Sequence, residues 1–492
     1  MDEIVYEDHT HSNLSFLEEL RKYSLESKLL LCQRYASRIM SGLQVNFDFA
    51  YTEGIMPWEL ESFAAFSILY DDNASQVIDT ESFFNFISYI RNYWHEGLSE
   101  AELDGTYPER FIMISSLQQL PVQGVALQKL FRHHYFFNFS NSMIDMKAEF
   151  QNSFGLDYAP FEEFAYLITL CCSRESSQIL NDAQKCNILS RAFQNSSVMD
   201  KLTVSIQEYI NNYNSLYKGN VTDLYYGLKV HYWYPFISGS DGIYLPSPYL
   251  LINAVTDSFI NRLTLGKDRL RRLFGKEVIE NYLYDIMSEL PTTTWISKEI
   301  VYSIGHNEYL SSDVIVSEGD FCVFYDTKAS TPSLKLRKFD KEEIEKDTLE
   351  YAKNIVQIYN QINAYENGYF ELDKSYNRNH LFGVVVVLED SAVFRGNVYA
   401  KAFDLLEHHS PIDSSTKDYI HSHIKVVSLQ QIEIMVLQNC SFLPCLLAQV
   451  DSPDRWDNYT FATPHPDNGL ISTYKNYGDS IKRRVLRLAL ES

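Results

Sequence analysis

The chain has 492 residues, enough for two or three domains with sizeable hydrophobic cores. Aromatic residues make up 14% of it, which argues against extensive disorder because disordered chains are poor in aromatics. The net charge of −23 argues against a protein that coats polyanions non-specifically.

The N-terminal sequence MDEIVYEDHT is acidic and lacks the basic-then-apolar order of a signal peptide. The sequence contains no apolar run of about 18 residues, the length that a membrane-spanning helix needs. Its seven cysteines follow no regular spacing, so they predict neither a disulfide framework nor a zinc site. We therefore expect a soluble, cytoplasmic protein that does not enter a membrane.

Residues 1–235 are predicted to form an α-helical domain. Apolar residues recur at helical spacing in the segments 12–32, 80–93, 161–172 and 204–217. Residues 1–255 hold 16 basic and 31 acidic residues, and this net charge of −15 disfavours contact with a phosphate backbone. We therefore expect a sensing or interaction domain that binds a protein partner or forms a homo-oligomer.

A cluster of helix-breaking residues follows this domain. The segment 234–249 contains Pro235, Gly239, Gly242, Pro246 and Pro248, the densest set of breakers in the chain. The sequence therefore predicts a domain junction, with a linker and a connecting helix over residues 236–266. A second domain is expected over residues 267–492. Its half of the chain carries a net charge of −8 from residue 256 onward and is the better place for nucleic acid.

Helices and strands alternate in the second half. Helices are predicted at 267–290, 341–365, 395–407 and 479–490, with a further helix beginning near residue 428. Strands are predicted at 299–304, 313–316, 321–329, 381–388 and 423–427, and the turn 317–320 makes the second and third of these a hairpin. This order is typical of an α/β sandwich with a mixed central sheet.

The sharpest chemical signal lies in the hairpin, in the segment SSDVIVSEGDFCVFYDTKAS at 311–330. Asp313 begins one strand, while Asp326 and Lys328 end its partner and point to the same face because they are two residues apart. Charged groups that emerge from a buried strand are costly unless they are paired or bound to metal. Two carboxylates and the backbone carbonyl of Thr327 are oxygen ligands suited to Mg²⁺ or Mn²⁺. Lys328 supplies a positive charge that can orient a water or stabilise a pentacovalent phosphate.

This arrangement resembles the PD-(D/E)XK nuclease superfamily, whose members share the restriction-endonuclease fold. The match is Asp313, then Asp326-Thr327-Lys328 on the second strand of a hairpin, and it covers roughly residues 267–440. Ser312 stands where the family usually has a proline. The resemblance implies a multidomain chain, with an α-helical N-terminal domain and a restriction-endonuclease-like α/β C-terminal domain.

The resemblance also implies further site residues. Members usually add an acidic residue from the preceding helix, for which Glu280 is the first choice and Glu277 the second. Many members place a glutamine on the helix after the lysine strand, sometimes as Gln-x-x-x-Tyr. Here Gln357 and the pair Gln361/Tyr365 are candidates, and solvated helix polars are an equal alternative. The implied metal ligands are Asp313, Asp326, Thr327 and Glu280.

The function implied by this resemblance is Mg²⁺-dependent endonuclease cleavage of nucleic acid, with DNA favoured as the substrate. By analogy at the level of the fold, the chain is expected to be a bacterial antiviral-defence effector that its helical domain or a partner controls. An alternative is a non-catalytic interaction or assembly protein that retains the fold, with an incidental salt bridge at Lys328. The basic runs at 335–338 and 482–484 either contact phosphate or form a solvated surface.

Overall fold

The computed structural model describes residues 9–92, 112–113, 115–117, 124–176, 181–194, 196–217, 225, 227–337, 339–408, 411–450 and 468–490. Within these ranges the chain combines helices with four sheets, of which the largest has five strands in mixed directions. This agrees with the predicted mixture of helix and mixed sheet. None of the described helices is both long and apolar enough to cross a membrane.

Helices dominate the described part of the chain before residue 218, and several begin at a capping side chain. Asp79, for example, accepts a hydrogen bond from the Ser82 N–H, which satisfies a free donor at the start of its helix. A short hairpin interrupts them, formed by β1 (Met40–Ser41) and β2 (Gln44–Val45). The helices are α1 (His9–Leu20), α2 (Leu25–Arg38), α3 (Phe47–Glu53), α4 (Pro57–Leu69), α5 (Thr80–Arg91), α6 (Ala126–Asn138), α7 (Met146–Phe154), α8 (Tyr158–Cys172), α9 (Asp182–Ala192), α10 (Ser196–Leu202) and α11 (Ile206–Tyr217).

The segment predicted as a linker contains regular structure. Strands β4 (Phe236–Ser238) and β5 (Ile243–Tyr244) join β3 (Thr203–Ser205) in a three-stranded sheet, after a 3-10 turn at Val230–Tyr232. The connecting helix is divided into α12 (Leu250–Val255) and α13 (Asp257–Thr264), because the backbone at Thr256 is not helical. The domain boundary near residue 235 stays a prediction.

The five-stranded sheet organises the second half. Its strands are β6 (Trp295–Lys298), β9 (Val314–Glu318), β10 (Phe321–Lys328), β11 (Leu381–Val387) and β12 (Ile424–Ser428), in the spatial order β12-β11-β10-β9-β6. Strands β6, β9 and β10 pair antiparallel, whereas β10, β11 and β12 run parallel. Gly319 turns the β9–β10 hairpin with a φ of 56°, a conformation that glycine adopts without strain.

Further helices surround this sheet. They are α14 (Asp268–Leu273), a π-helical segment (Phe274–Ile279), α15 (Glu280–Ser288), α16 (Leu334–Arg337), α17 (Lys341–Glu366), α18 (Arg395–Glu407), α19 (Ser414–His423), α20 (Leu429–Val436), α21 (Leu443–Val450) and α22 (Ser472–Leu490). A 3-10 turn lies at Arg378–His380.

Two predicted elements differ from the structure. The helix expected over 267–290 is divided into α14, the π-helical segment and α15. The strand expected at 299–304 is not part of the main sheet, because β7 (Val301–Ile304) pairs with β8 (Asn307–Leu310) in a separate exposed hairpin. Its place at the sheet edge is taken by β6, which precedes it.

The two faces of the sheet pack into different hydrophobic cores, since successive strand residues point to opposite sides. On one face, Phe324 and Val385 pack with the apolar side of α17. On the other face, Val323 and Val384 belong to a core that also includes α15 and residues of α6 and α8. Helices from the first half of the chain therefore share a core with the sheet, whereas α2, α4, α5 and α11 form a third core.

Candidate functional site

The candidate site lies where β9 begins and β10 ends. These strands are antiparallel, with Val314 opposite Tyr325, so that Asp313 lies beside Asp326-Thr327. The backbone N–H of Thr327 donates to Asp313 Oδ2 at 2.6 Å, and the Thr327 hydroxyl donates to the same atom at 3.0 Å. The hairpin register therefore brings together the two aspartates that the sequence singles out.

Asp326 is almost completely buried, with 1% of its surface exposed. The Lys328 Nζ lies 2.5 Å from Asp326 Oδ2, as expected for residues two apart on one strand face. On the other side, Gln357 of α17 donates from Nε2 to Asp326 Oδ1 at 3.2 Å. Asp326 thus contacts Lys328 and Gln357, two of the residues that were predicted to act with it.

Glu280 reaches the site from the first turn of α15, directly after the π-helical segment. π-helical turns are rare and frequently occur at functional sites. Within this segment Gly275 packs so closely on β10 that an added Cβ would lie 3.2 Å from the Ala329 Cβ. Glu277 is directed elsewhere, since its Oε2 accepts a hydrogen bond from Asn141 at 2.8 Å.

The carboxylates of Asp313, Asp326 and Glu280, here called the acid cluster, repel one another in a buried setting. Burial and then the Asp326 carboxylate raise the pKa of Asp313 to about 7. Burial, followed by the carboxylates of Asp313 and Glu299, raises the pKa of Glu280 to about 9. Each shift records the cost of holding one more negative charge at this place.

Lys328 offsets part of this repulsion. Burial raises the pKa of Asp326, and the Lys328 ammonium opposes that rise. Burial acts to lower the pKa of Lys328, but the carboxylates of the acid cluster, Asp326 first among them, together raise it, so that the side chain stays charged. About a third of the Lys328 side chain, 31%, is exposed, which leaves it accessible to a ligand.

One residue near the site, Glu299, was not predicted from the sequence, whereas Gln361 and Tyr365 were candidates. Glu299, which follows β6, contributes to the raised pKa of Glu280 and lies 3.8 Å from Lys276. Buried Gln361 accepts a hydrogen bond from the Ser312 hydroxyl at 2.6 Å and so fixes the residue before Asp313. Of the Gln361/Tyr365 pair, Tyr365 points away, since its hydroxyl donates to the Lys374 carbonyl. No local sequence signal pointed to Glu299, because it approaches Glu280 only through the position of β6 at the edge of the sheet.

The donors of the acid cluster fit a divalent cation in chemistry and in sign, because they are carboxylate oxygens that repel one another. Asp326 Oδ2 is buried and accepts no hydrogen bond of ordinary geometry from a described residue, although Lys328 Nζ is 2.5 Å away. In the described ranges no three or more His, Cys, Asp or Glu side chains are gathered closely enough to hold a metal ion. Shared binding of an ion by the acid cluster therefore requires its carboxylates to move closer together.

The basic runs at 335–338 and 482–484, for which phosphate contact and a solvated surface were the alternatives, each contain an arginine that is paired within the chain. Arg337 is buried, donates to the Leu117 carbonyl at 3.3 Å and lies 3.6 Å from Glu389. Arg484 is paired with Glu162 and Glu163. Lys338 lies outside the described residues. One residue of each run is thus paired within the chain, whereas Lys335, Lys482 and Arg483 are exposed.

Comparison of the chain with protein-family models, with curated proteins and with solved structures finds no match. The resemblance to PD-(D/E)XK nucleases therefore depends on the residues and elements described above.

Proposed function

We propose that the chain is a metal-dependent nuclease of the PD-(D/E)XK type that hydrolyses phosphodiester bonds, with DNA as the favoured substrate. The observation that carries this proposal is the meeting of Asp313, Asp326 and Lys328 at the end of a buried hairpin, with Glu280 approaching from a helix. The antiparallel β6–β9–β10 strands followed by a long helix and parallel β11 support the same proposal.

Asp313, Asp326, Glu280 and the Thr327 carbonyl would hold Mg²⁺ or Mn²⁺. When bound, such an ion polarises the phosphodiester and lowers the pKa of a bound water. Lys328 presents its ammonium at the same place and stabilises the additional negative charge on phosphorus. In the hydrolysis, the oxygen of water bonds to phosphorus, the bond to one ester oxygen breaks, and that oxygen takes up a proton.

We also propose that the helical first half controls this activity, as in a defence effector that responds to a partner. Support comes from the core that α6 and α8 share with the sheet. In addition, Arg132 of α6 bonds to Glu433 of α20 at 3.0 Å, with both side chains almost fully buried. A partner that moves α6 would therefore disturb the helices that cover the sheet.

One observation favours the alternative of a non-catalytic assembly protein. Lys328 and Asp326 already form a close ion pair, and a pair of this kind can have a purely structural role. The two proposals differ in what happens when Asp326 is made neutral, because a structural pair affects stability whereas a ligand affects cleavage.

The test is cleavage of duplex DNA, single-stranded DNA and RNA by the full-length chain in Mg²⁺ and in Mn²⁺, compared with Asp326→Asn. Asp320→Asn is the matched control, since it makes the same change in the same hairpin at a site that is 84% exposed. We expect cleavage by the wild type and by the control, and none by Asp326→Asn. Equal cleavage by all three chains, or no cleavage by a folded wild type in either metal, contradicts the proposal.

A further inference from the structure

A concentrated basic surface lies beside the acid cluster. Between residues 267 and 276 the chain carries five basic side chains, while Asp268 is the one acid in this stretch of the sequence. All five basic residues are exposed: Lys267, Arg269, Arg271, Arg272 and Lys276. In a chain with a net charge of −23, this local excess of positive charge is unlike its surroundings.

The end of β10 fixes the position of this surface. Arg271 Nη2 donates to the Thr331 hydroxyl at 2.9 Å and to the Ala329 carbonyl at 3.3 Å, so α14 is tied to the residues directly after Lys328. The close packing of Gly275 on Ala329 brings the next turn to the same strand end. Lys276 is near enough to Glu280 for its positive charge to oppose the rise in the pKa of Glu280. The basic surface thus borders the candidate site on the side of Glu280.

The five basic side chains differ in whether they contact other residues of the chain. Arg271 is held by the loop after β10, Lys267 lies 3.6 Å from Glu149, and Lys276 lies 3.8 Å from Glu299. No side-chain hydrogen bond or ion pair links Arg269 or Arg272 to another described residue. These two are three residues apart in α14 and therefore lie on the same side of the helix.

We propose that Arg269 and Arg272, with Lys276 next to them, hold the sugar-phosphate backbone of a nucleic acid along the Glu280 side of the site. The identity of this occupant rests on the proposed function. Charge is the argument for it, because clustered arginines that are free of carboxylate partners match a row of phosphates. Residues 269 and 276 are separated by roughly 10 Å along a helix axis, enough to meet more than one phosphate.

The test is the salt dependence of binding by the full-length chain to a fluorescent DNA duplex, in EDTA so that no cleavage occurs. The variant is Arg269→Gln/Arg272→Gln. The matched control is Lys482→Gln/Arg483→Gln, which removes the same charge from an exposed place on α22. Each phosphate contact contributes about 0.9 to the slope of log affinity against log salt, so the variant should lose about 1.8.

For each protein, the affinity at about 50 mM salt is divided by the affinity at about 200 mM salt. The loss of slope makes this ratio about 12-fold smaller for the variant than for the wild type. The control should keep the wild-type ratio. An unchanged slope in the variant, an equal fall in the control, or no binding by the wild type would overturn the proposal. The proposal would also be overturned if the wild type bound polyglutamate as tightly as DNA and the variant lost that binding. This result would assign the surface to an acidic protein.

This outcome is separate from that of the nuclease proposal. A reduced slope in a chain that cleaves nothing supports the binding surface and leaves the nuclease proposal contradicted. Cleavage that depends on Asp326, together with an unchanged slope in the variant, supports the nuclease proposal and overturns the binding surface.

Discussion

The acid cluster and the network that joins α6 to α13 and α20 are both buried, yet their charges are balanced differently. In the network, Asp257 lies within 3.3–3.6 Å of His133, Arg132 and Lys129. Arg132 also binds Glu433, whose second oxygen accepts a hydrogen bond from the Tyr282 hydroxyl at 2.7 Å. In the acid cluster, three carboxylates face one lysine.

The direction of the pKa shift separates Asp257 of the network from Asp313 of the acid cluster, although burial also raises the pKa of Glu433 in the network. Burial acts to raise the pKa of Asp257, but Lys129, His133 and Arg132 hold it well below its usual range. Asp313 is shifted the other way, to a pKa of about 7, because burial is reinforced by another carboxylate. A buried carboxylate with a lowered pKa is part of a satisfied ion-pair network, whereas one with a raised pKa is at a place that a cation would stabilise.

The largest expected effect is on catalysis. Lys328→Met should reduce the rate of cleavage by roughly 10²–10³-fold, because it removes the positive charge next to the reacting phosphate. Metal affinity should change little, since Lys328 is not a ligand. Single-turnover rates and metal titrations measured in parallel check this, and a loss confined to metal binding would contradict it.

The second effect is on stability and has opposite directions in the two regions. Arg132→Met leaves Glu433 buried without its ion-pair partner and removes one of three basic groups around Asp257, so the free energy of unfolding should fall by about 3–5 kcal/mol. Glu280→Gln replaces a carboxyl with a pKa of about 9 by an amide that cannot ionise, so the free energy of unfolding should be unchanged near pH 7 and raised at higher pH. Urea denaturation of both variants in EDTA tests the contrast, which fails if Glu280→Gln is as destabilising as Arg132→Met.

The third effect is the pH dependence of stability. Asp313 and Glu280, with pKa values of about 7 and about 9, bind protons more tightly in the folded chain than in the unfolded chain, where carboxyl pKa values are about 4. In metal-free protein their contribution to stability is therefore complete below about pH 4 and is lost as the pH rises towards about 9. Mg²⁺ should make this fall shallower, because it stabilises the ionised carboxylates.

The contribution of Asp257 to stability should depend on pH in the opposite direction. The lowered pKa of Asp257 means that its contribution is present above about pH 4 and is lost in acid. Denaturation series at several pH values, with Asp313→Asn as the comparison, measure both limbs. A wild-type alkaline limb that neither Mg²⁺ nor Asp313→Asn makes shallower would contradict this description of the acid cluster.

The smallest effect concerns Gln357, which donates to Asp326 without belonging to the acid cluster. Gln357→Leu should lower metal affinity or activity by about tenfold, the lower end of the range for a residue that orients a ligand. Lys353→Leu on the same helix is the control, since Lys353 is exposed and lies 3.4 Å from Glu350. Equal activity of both variants and the wild type would remove Gln357 from the site.

The sequence predicted the hairpin because local patterns determine it. Apolar runs on both strands, a turn with Gly319, and charges at the strand ends together place Asp313 beside Asp326. The strand predicted at 299–304 is not in the main sheet, because the alternation in this segment also suits an exposed hairpin. A single sequence does not show which strand pairs with β9.

Long-range pairs could not be predicted for a related reason. Arg132 and Glu433 are 301 residues apart, and nothing local in either helix indicates the other partner. Glu299 likewise approaches Glu280 only through the position of β6 at the edge of the sheet. The sequence was therefore informative where neighbours along the chain form the site, and uninformative where packing brings distant elements together.

Calorimetric titration of the metal-free full-length chain with Mg²⁺, and then with Mn²⁺, tests most directly whether the acid cluster is a cation site. We expect saturable binding by the wild type and by Asp320→Asn, and an affinity at least about tenfold lower for Asp313→Asn and Asp326→Asn. Binding that is equal in all four chains, or absent from a folded wild type, would contradict the account.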